Sequence, residues 1–256
     1  MEQLLRLKYC KVEPIKYISH LNLAQLFTRS LRRADIPVVM SEGFNPRFRI
    51  SFGPPLPLGI SSTSEYLDIR LKEEMRPGEL IKKLNKELPK GLKVITAKII
   101  PISSNSLVKV INSASYKITL KLNKKDINLS KESLNEKMQT TKNLSEENID
   151  RVIKNIFSKI DKNIKEFLNQ SEIQIEKQTK KGRKKFNIKP IIINMSVNKF
   201  TRYILELNLK LKIGQESNLN PRYVIESWLS NCGYNFKNIH IIRNGLYIND
   251  HEIIEN

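Results

Sequence analysis

Glu65-Tyr66-Leu67-Asp68-Ile69-Arg70-Leu71 is the clearest alternation in the chain, with Leu67, Ile69 and Leu71 set against Tyr66, Asp68 and Arg70. A two-residue period of this kind belongs to a strand with one buried face. Upstream, Leu4 to Lys11 alternates in the same way. Between these two stretches Leu23, Leu26, Phe27, Leu31 and Ala34 recur at helical spacing, and Ile36-Pro37 closes that helix because proline excludes helical backbone before it. Short strands are expected around Val38-Val39-Met40 and from Arg47 to Phe52. Downstream, Leu80, Ile81, Leu84 and Leu88 mark a second helix and Val94 to Ile100 a last strand. The order reduces to βαββαβ, a split βαβ or ferredoxin-like unit.

The second half repeats that order with extra length. Tyr116 to Leu122 reads as a strand, and residues 123–146 as a polar loop or excursion. A long helix is predicted from Glu147 to Leu168, carried by Ile149, Val152, Ile153, Ile156, Phe157, Ile160, Ile164 and Phe167. Ile173–Gln178 and Phe186–Met195 read as two strands joined by the basic run Lys180-Lys181-Gly182-Arg183-Lys184-Lys185. Tyr203–Ile213 alternates again, Pro221 opens a helix through Trp228, and Ile239–Ile248 supplies the final strands. The fold class expected is therefore α+β, with two tandem ferredoxin-like domains built on antiparallel sheets, spanning 1–105 and 112–256.

The 256 residues carry 45 Lys+Arg against 26 Asp+Glu, a formal net charge of +19. Such an excess favours a polyanionic partner, with nucleic acid ahead of an anionic membrane. Its distribution does not point to either half: residues 1–100 hold 18 basic and 10 acidic side chains, the remainder 27 and 16. Lysine is abundant throughout, so the location of charge has to decide. No apolar run approaches the roughly 18 residues of a membrane helix, and no secretory signal is read at the start. Cys10 and Cys232 make no disulfide framework or four-cysteine metal site, in keeping with a reducing cytoplasm. Walker A and dinucleotide glycine motifs are absent, and His20, His240 and His251 form no metal-ligand spacing with the cysteines. No cofactor and no metal are expected.

Residues 16–65 are the least ordinary part. They run through Lys16-Tyr17-Ile18-Ser19-His20-Leu21-Asn22, then Arg29, Arg32 and Arg33, then Ser41-Glu42-Gly43-Phe44-Asn45-Pro46-Arg47. Pro54-Pro55-Leu56-Pro57-Leu58-Gly59 and Glu65 follow. This pattern resembles the radical SAM-linked protein family, with its Ser-His-Leu helix start, arginine-rich helix, Gly-Phe-Asn-Pro loop and Pro-Leu-Pro-Leu-Gly turn. Asn187-Ile188-Lys189-Pro190 and Ile242-Arg243-Asn244 extend the likeness along nearly the whole chain. Two positions depart from the family pattern: Asn22 replaces an aspartate, and Arg47-Phe48 replaces His-Pro. The resemblance implies an accessory domain, fused to or encoded beside cobalamin-binding radical SAM proteins, with a role in RNA metabolism or modification. The chain has no Cys-x3-Cys-x2-Cys cluster of its own for the iron–sulfur centre.

Read residue by residue, Ser19 is a helix cap and, with His20, a catalytic candidate, the imidazole serving as general base or phosphate contact. Arg29, Arg32 and Arg33 lie away from the Leu23/Leu26/Phe27/Leu31 stripe, so at least two guanidinium groups share an exposed helix face suited to phosphate. Gly43-Phe44-Asn45-Pro46 has the chemistry of a tight turn and brings Phe44 and Asn45 beside Arg47 and Arg49, an aromatic-plus-arginine set of the kind that holds single-stranded RNA. Glu42 and Glu65 are candidate partners for the arginines. Lys180, Lys181, Arg183, Lys184 and Lys185 would extend the basic surface from a hairpin tip.

The expectation is an RNA-binding accessory protein, non-catalytic on its own, that presents tRNA or rRNA to a separate radical SAM enzyme. One rival is a metal-independent endoribonuclease of the CRISPR RNA-processing type using His20, a fold-level analogy. Another is a protein-docking domain for a radical SAM partner.

Overall fold

The computed structural model describes residues 1–123, 146–179, 182–201, 203–214 and 217–253. The chain divides into two compact units: Met1–Ser115 with Lys212–Asn218 and Ile242–Asn256, and Tyr116–Leu211 with Leu219–Ile241. The sequence reading placed consecutive domains at 1–105 and 112–256. In the structure the chain returns to its first unit twice, so the units are not consecutive in sequence. The architecture is mixed α+β, mostly antiparallel, as the periodicities predict.

In the first unit β1 (Gln3–Lys11) leads to α1 (His20–Arg33), β2 (Ile50–Phe52), β3 (Ser61–Leu71), α2 (Pro77–Glu87), β4 (Leu92–Ile100) and the single turn α3 (Leu107–Val110). The sheet order is β4-β1-β3, with β2 also antiparallel on β3 through Ile50↔Ile69 and Phe52↔Leu67. Ile242 and Arg243 join the same strand in parallel, at Ile242↔Ser61 and Arg243↔Ser62. The alternation of 65–71 does what its period requires. Leu67, Ile69 and Leu71 join Leu5 and Leu7 of β1 in one core with Leu23, Phe27 and Leu31 of α1 and Leu80 and Leu84 of α2. On the opposite face Arg6 is paired with Asp68 in register, Nε to Oδ1 at 2.8 Å and Nη2 to Oδ2 at 2.9 Å.

Helix α1 starts at Ser19, whose hydroxyl accepts from the Asn22 amide at 3.2 Å, and its basic last turn faces the partial negative charge of the helix end. The two short strands expected beyond it form a small ribbon bridged at Met40↔Phe48, with Ser41 N–H donating to the Arg47 carbonyl and Arg49 N–H to that of Val39. Gly43, at φ 108°, makes the turn between them.

The second unit contains most of β5 (Ser113–Leu122), then α4 (Glu146–Asn169), β6 (Gln174–Thr179), β7 (Gly182–Asn187), β8 (Ile192–Thr201), β9 (Ile204–Lys212), α5 (Pro221–Leu229) and the first part of β10 (Phe236–Ile248); β11 (His251–Glu252) follows in the first unit. Its strand order is β10-β5-β9-β8. Trp228 of α5 is fully buried and donates from Nε1 to Asn163 Oδ1 of α4 at 2.8 Å. One expected strand is corrected. Phe186–Met195 is interrupted by a single 3-10 turn at Lys189–Ile191, because Pro190 has no amide to give a ladder. β7 therefore pairs with β6 in a separate two-stranded ribbon, while β8 pairs with β9. The polar loop expected at 123–146 falls almost wholly outside the described residues.

Candidate functional site

The apolar stripe of α1 fixes where its other side chains go. With Leu23, Phe27 and Leu31 in the core, Arg29 and Arg32 are left on an exposed flank, three residues apart and so neighbours on the helix surface. That flank faces the ribbon leading into β2, and a groove of about 630 Å³ lies between them. Leu21, Ala24, Gln25, Thr28, Arg29 and Arg32 supply the helix wall; Pro46, Arg47, Phe48, Ile50 and Phe52 supply the other. The floor is carbon and the rim is cationic. No carboxylate lines the groove, and among the described residues none is paired with Arg29, Arg32 or Arg47. The Arg32 guanidinium sits over the Phe48 ring, 5.4 Å from its centre, a cation–π contact. Arg29 donates to Gln25 Oε1 at 3.4 Å.

The remaining sequence candidates separate. Arg33, one turn on from Arg29, leans away from the groove toward α2, where Nε meets Glu87 Oε2 at 2.9 Å and Nη2 donates to the Glu87 carbonyl at 2.7 Å. It ties α1 to the end of α2 and does not line the groove. Arg49 is drawn toward Glu42, at 3.8 Å. Phe44 is fully exposed at the tip of the ribbon with Asn45 beside it, neither lining the groove. Arg183, Lys184 and Lys185 are exposed along β7 in the second unit, and Lys180 and Lys181 lie outside the described residues.

His20 stands one ring away from the groove. Its imidazole meets Phe52 edge to face at 5.3 Å, and Phe52 is part of the groove wall. Partial burial lowers the His20 pKa from 6.5, the Lys11 ammonium lowers it further, and Glu65 opposes both. Ser19, its neighbour, already uses its oxygen as the cap of α1.

Sequence reasoning missed the charge centre behind His20. Arg243, 1% exposed, donates from Nε to Glu65 Oε1 at 2.7 Å and from Nη2 to Glu65 Oε2, and also to the Pro54 carbonyl at 3.0 Å. Lys11, also 1% exposed, donates to the Ile18 carbonyl at 2.9 Å. Its pKa is lowered by burial, with Glu65 opposing the shift and Arg243 adding to it. The space between this cluster and His20 is only about 10 Å³, no more than one water, so it is a structural centre and not a ligand pocket. The available signal was a glutamate out of phase with its strand: Glu65 lies on the same face as Leu67 and Ile69, where an unpaired charge would be costly.

A family model matches residues 4–221, from β1 to the first residue of α5. The chain belongs to that family. It is described as "Uncharacterized protein conserved in bacteria (DUF2344)", words that make no link to radical SAM proteins. No curated protein matches the chain. Among solved structures, a chain of a Cbf5-Nop10-Gar1 complex is similar at 10% identity and a TM-score of 0.41, over 95% of this chain and 48% of that one. This chain thus spans about half the length of that relative. An unknown protein from Galdieria sulphuraria is similar at 9% identity and a TM-score of 0.24, over 94% and 99% of the two chains. Both likenesses are too distant to carry an inference. Among the described residues, no helix is long and apolar enough to cross a membrane.

Proposed function

We propose that this protein is a cytoplasmic RNA-binding accessory module. In this reading it holds tRNA or rRNA in the α1 groove and presents it to a separate radical SAM enzyme. One observation carries the proposal: three arginines with no carboxylate partner among the described residues rim an aromatic-walled groove that no described acid lines. Guanidinium forks match phosphate oxygens, and carbon floors match base faces. The radical SAM partner rests on the sequence resemblance alone. The further reading of both units as ferredoxin-like is supported by the strand orders β4-β1-β3-β2 and β10-β5-β9-β8, each equivalent to 4-1-3-2 within its own unit.

Electrophoretic shift with total small RNA at low salt tests the proposal. The wild type is expected to shift RNA, and Arg29→Glu/Arg32→Glu to abolish the shift with the fold retained. Absence of a wild-type shift, or a shift indifferent to the double reversal, overturns it.

A second reading, cleavage with His20 as general base, has one observation in its favour: an imidazole whose lowered pKa favours the neutral form beside the groove. Cleavage in EDTA that is lost in His20→Ala would favour it over simple binding. The same shift has a stability consequence. A folded-state pKa below 6.5 means the unfolded chain takes up a proton first as pH falls. The stabilising increment is thus present above about pH 6.5 and is lost as pH falls through the folded value. Thermal melts of the wild type and His20→Asn at pH 7.5 and 5 check this. The wild type is expected to lose slightly more on acidification.

A further inference from the structure

We infer that the α1 groove takes one unstacked base of a single-stranded RNA, with the flanking phosphates on Arg29, Arg32 and Arg47, and that it discriminates against duplex RNA. This inference rests on the RNA-binding reading above and specifies its substrate class. Three features carry it. The volume of about 630 Å³ falls within the roughly 300–1,000 Å³ of sites that enclose a small molecule, which suits one nucleotide. Its walls are aromatic and aliphatic at the bottom, with Phe48, Ile50 and Phe52 facing Ala24 and Thr28, so a ring can enter without burying an unpaired polar group of the protein. The cations stand at the rim, where a sugar–phosphate chain would pass once its base had entered.

A duplex cannot use these features together. In an A-form helix the bases are stacked and paired, and splayed bases are available only in single-stranded loops, bulges and ends. A duplex would reach the rim arginines through its phosphates and leave the carbon floor empty. The Arg32–Phe48 contact adds a prepared surface, since a guanidinium held over a ring still has N–H groups to offer phosphate. Phe44, fully exposed at the ribbon tip, is a second ring on which a neighbouring base can stack.

The test uses the full chain and a 12-nucleotide RNA carrying 2-aminopurine at a central position, either single-stranded or annealed to its complement. The single strand is expected to bind at least about 10-fold more tightly than the duplex, with a change in 2-aminopurine fluorescence on binding. Phe48→Leu should remove the fluorescence change. Ala24→Phe, which fills the floor from a partly exposed helix position, should remove both the change and the preference while leaving salt-sensitive binding. Equal binding of the two RNAs with no fluorescence change overturns base insertion and leaves the RNA-binding reading standing. Failure to bind either RNA overturns both. Capture of an acidic protein in place of RNA also overturns both.

Discussion

Glu65→Ala is expected to destabilise the first unit by about 3–5 kcal/mol, the cost of leaving a buried partner charge uncompensated. Glu65 is 4% exposed and both its oxygens accept from Arg243. Its removal takes both carboxylate oxygens from the Arg243 guanidinium, which keeps its bond to the Pro54 carbonyl, and removes an anion that offsets the Lys11 ammonium. Two buried cations then lose the carboxylate they share. Urea denaturation followed by far-UV circular dichroism measures the loss as a lower midpoint at an unchanged slope. A chain of two units can melt in two steps, and the loss should then fall on the transition of the first unit.

The double variant Glu65→Leu/Arg243→Met separates a buried pair from general damage. Replacing both partners by apolar groups of similar volume removes the desolvation penalty along with the attraction, and such exchanges are often neutral or stabilising. Most of the single-variant loss should therefore be recovered. If the double variant is as unstable as Glu65→Ala, the loss lies in packing or in the Lys11 ammonium deprived of Glu65, and not in the Arg243 pair. The pair also explains why residues near the chain's end belong to the first unit. Arg243 is 178 positions from Glu65, yet its backbone pairs with Ser62 and its carbonyl accepts from the Ser62 hydroxyl at 2.9 Å. It thereby clamps the Pro54 segment, which leads directly out of β2 and the groove.

What the sequence made legible follows from the range of each interaction. Periods of 2 and 3.6 are local, so the 65–71 strand, the Leu23–Leu31 helix face and the Ser19 cap were readable from a few residues each. Phe186–Met195 passed as one strand because its composition suits a strand throughout, while the lone Pro190 ends it. Arg33 was indistinguishable from Arg29 and Arg32 by spacing. It differs through Glu87, 54 positions away, whose carboxylate and carbonyl draw it off the groove. The ribbon that brings Arg47 and Phe48 opposite α1 is likewise a tertiary fact. Its aromatic and arginine content was visible, but the ring in the groove wall is Phe48, whereas Phe44, the one singled out from the turn, projects into solvent.

Neutralising the groove should change the salt dependence of RNA binding as well as its strength, and that separates located charge from the overall +19. Each phosphate contact on a single strand contributes about 0.7 to the slope of log affinity against log salt. If Arg29, Arg32 and Arg47 each hold a phosphate, Arg29→Gln/Arg32→Gln/Arg47→Gln lowers the slope by about 2. Between 50 and 200 mM salt the wild type should then lose about 20-fold more affinity than the variant. At low salt the variant should bind on the order of 1,000-fold more weakly, since three charge-assisted contacts are lost and each is worth about a tenfold factor or more. The matched control is Lys82→Gln/Lys83→Gln/Lys86→Gln on the exposed face of α2 in the same unit, which removes the same three charges. Diffuse attraction to a basic surface predicts equal effects from the two triple variants, and that result would sink the groove as the binding site. A held phosphate chain predicts that only the arginine variant loses slope, because the lysines surrender counterions to no fixed partner.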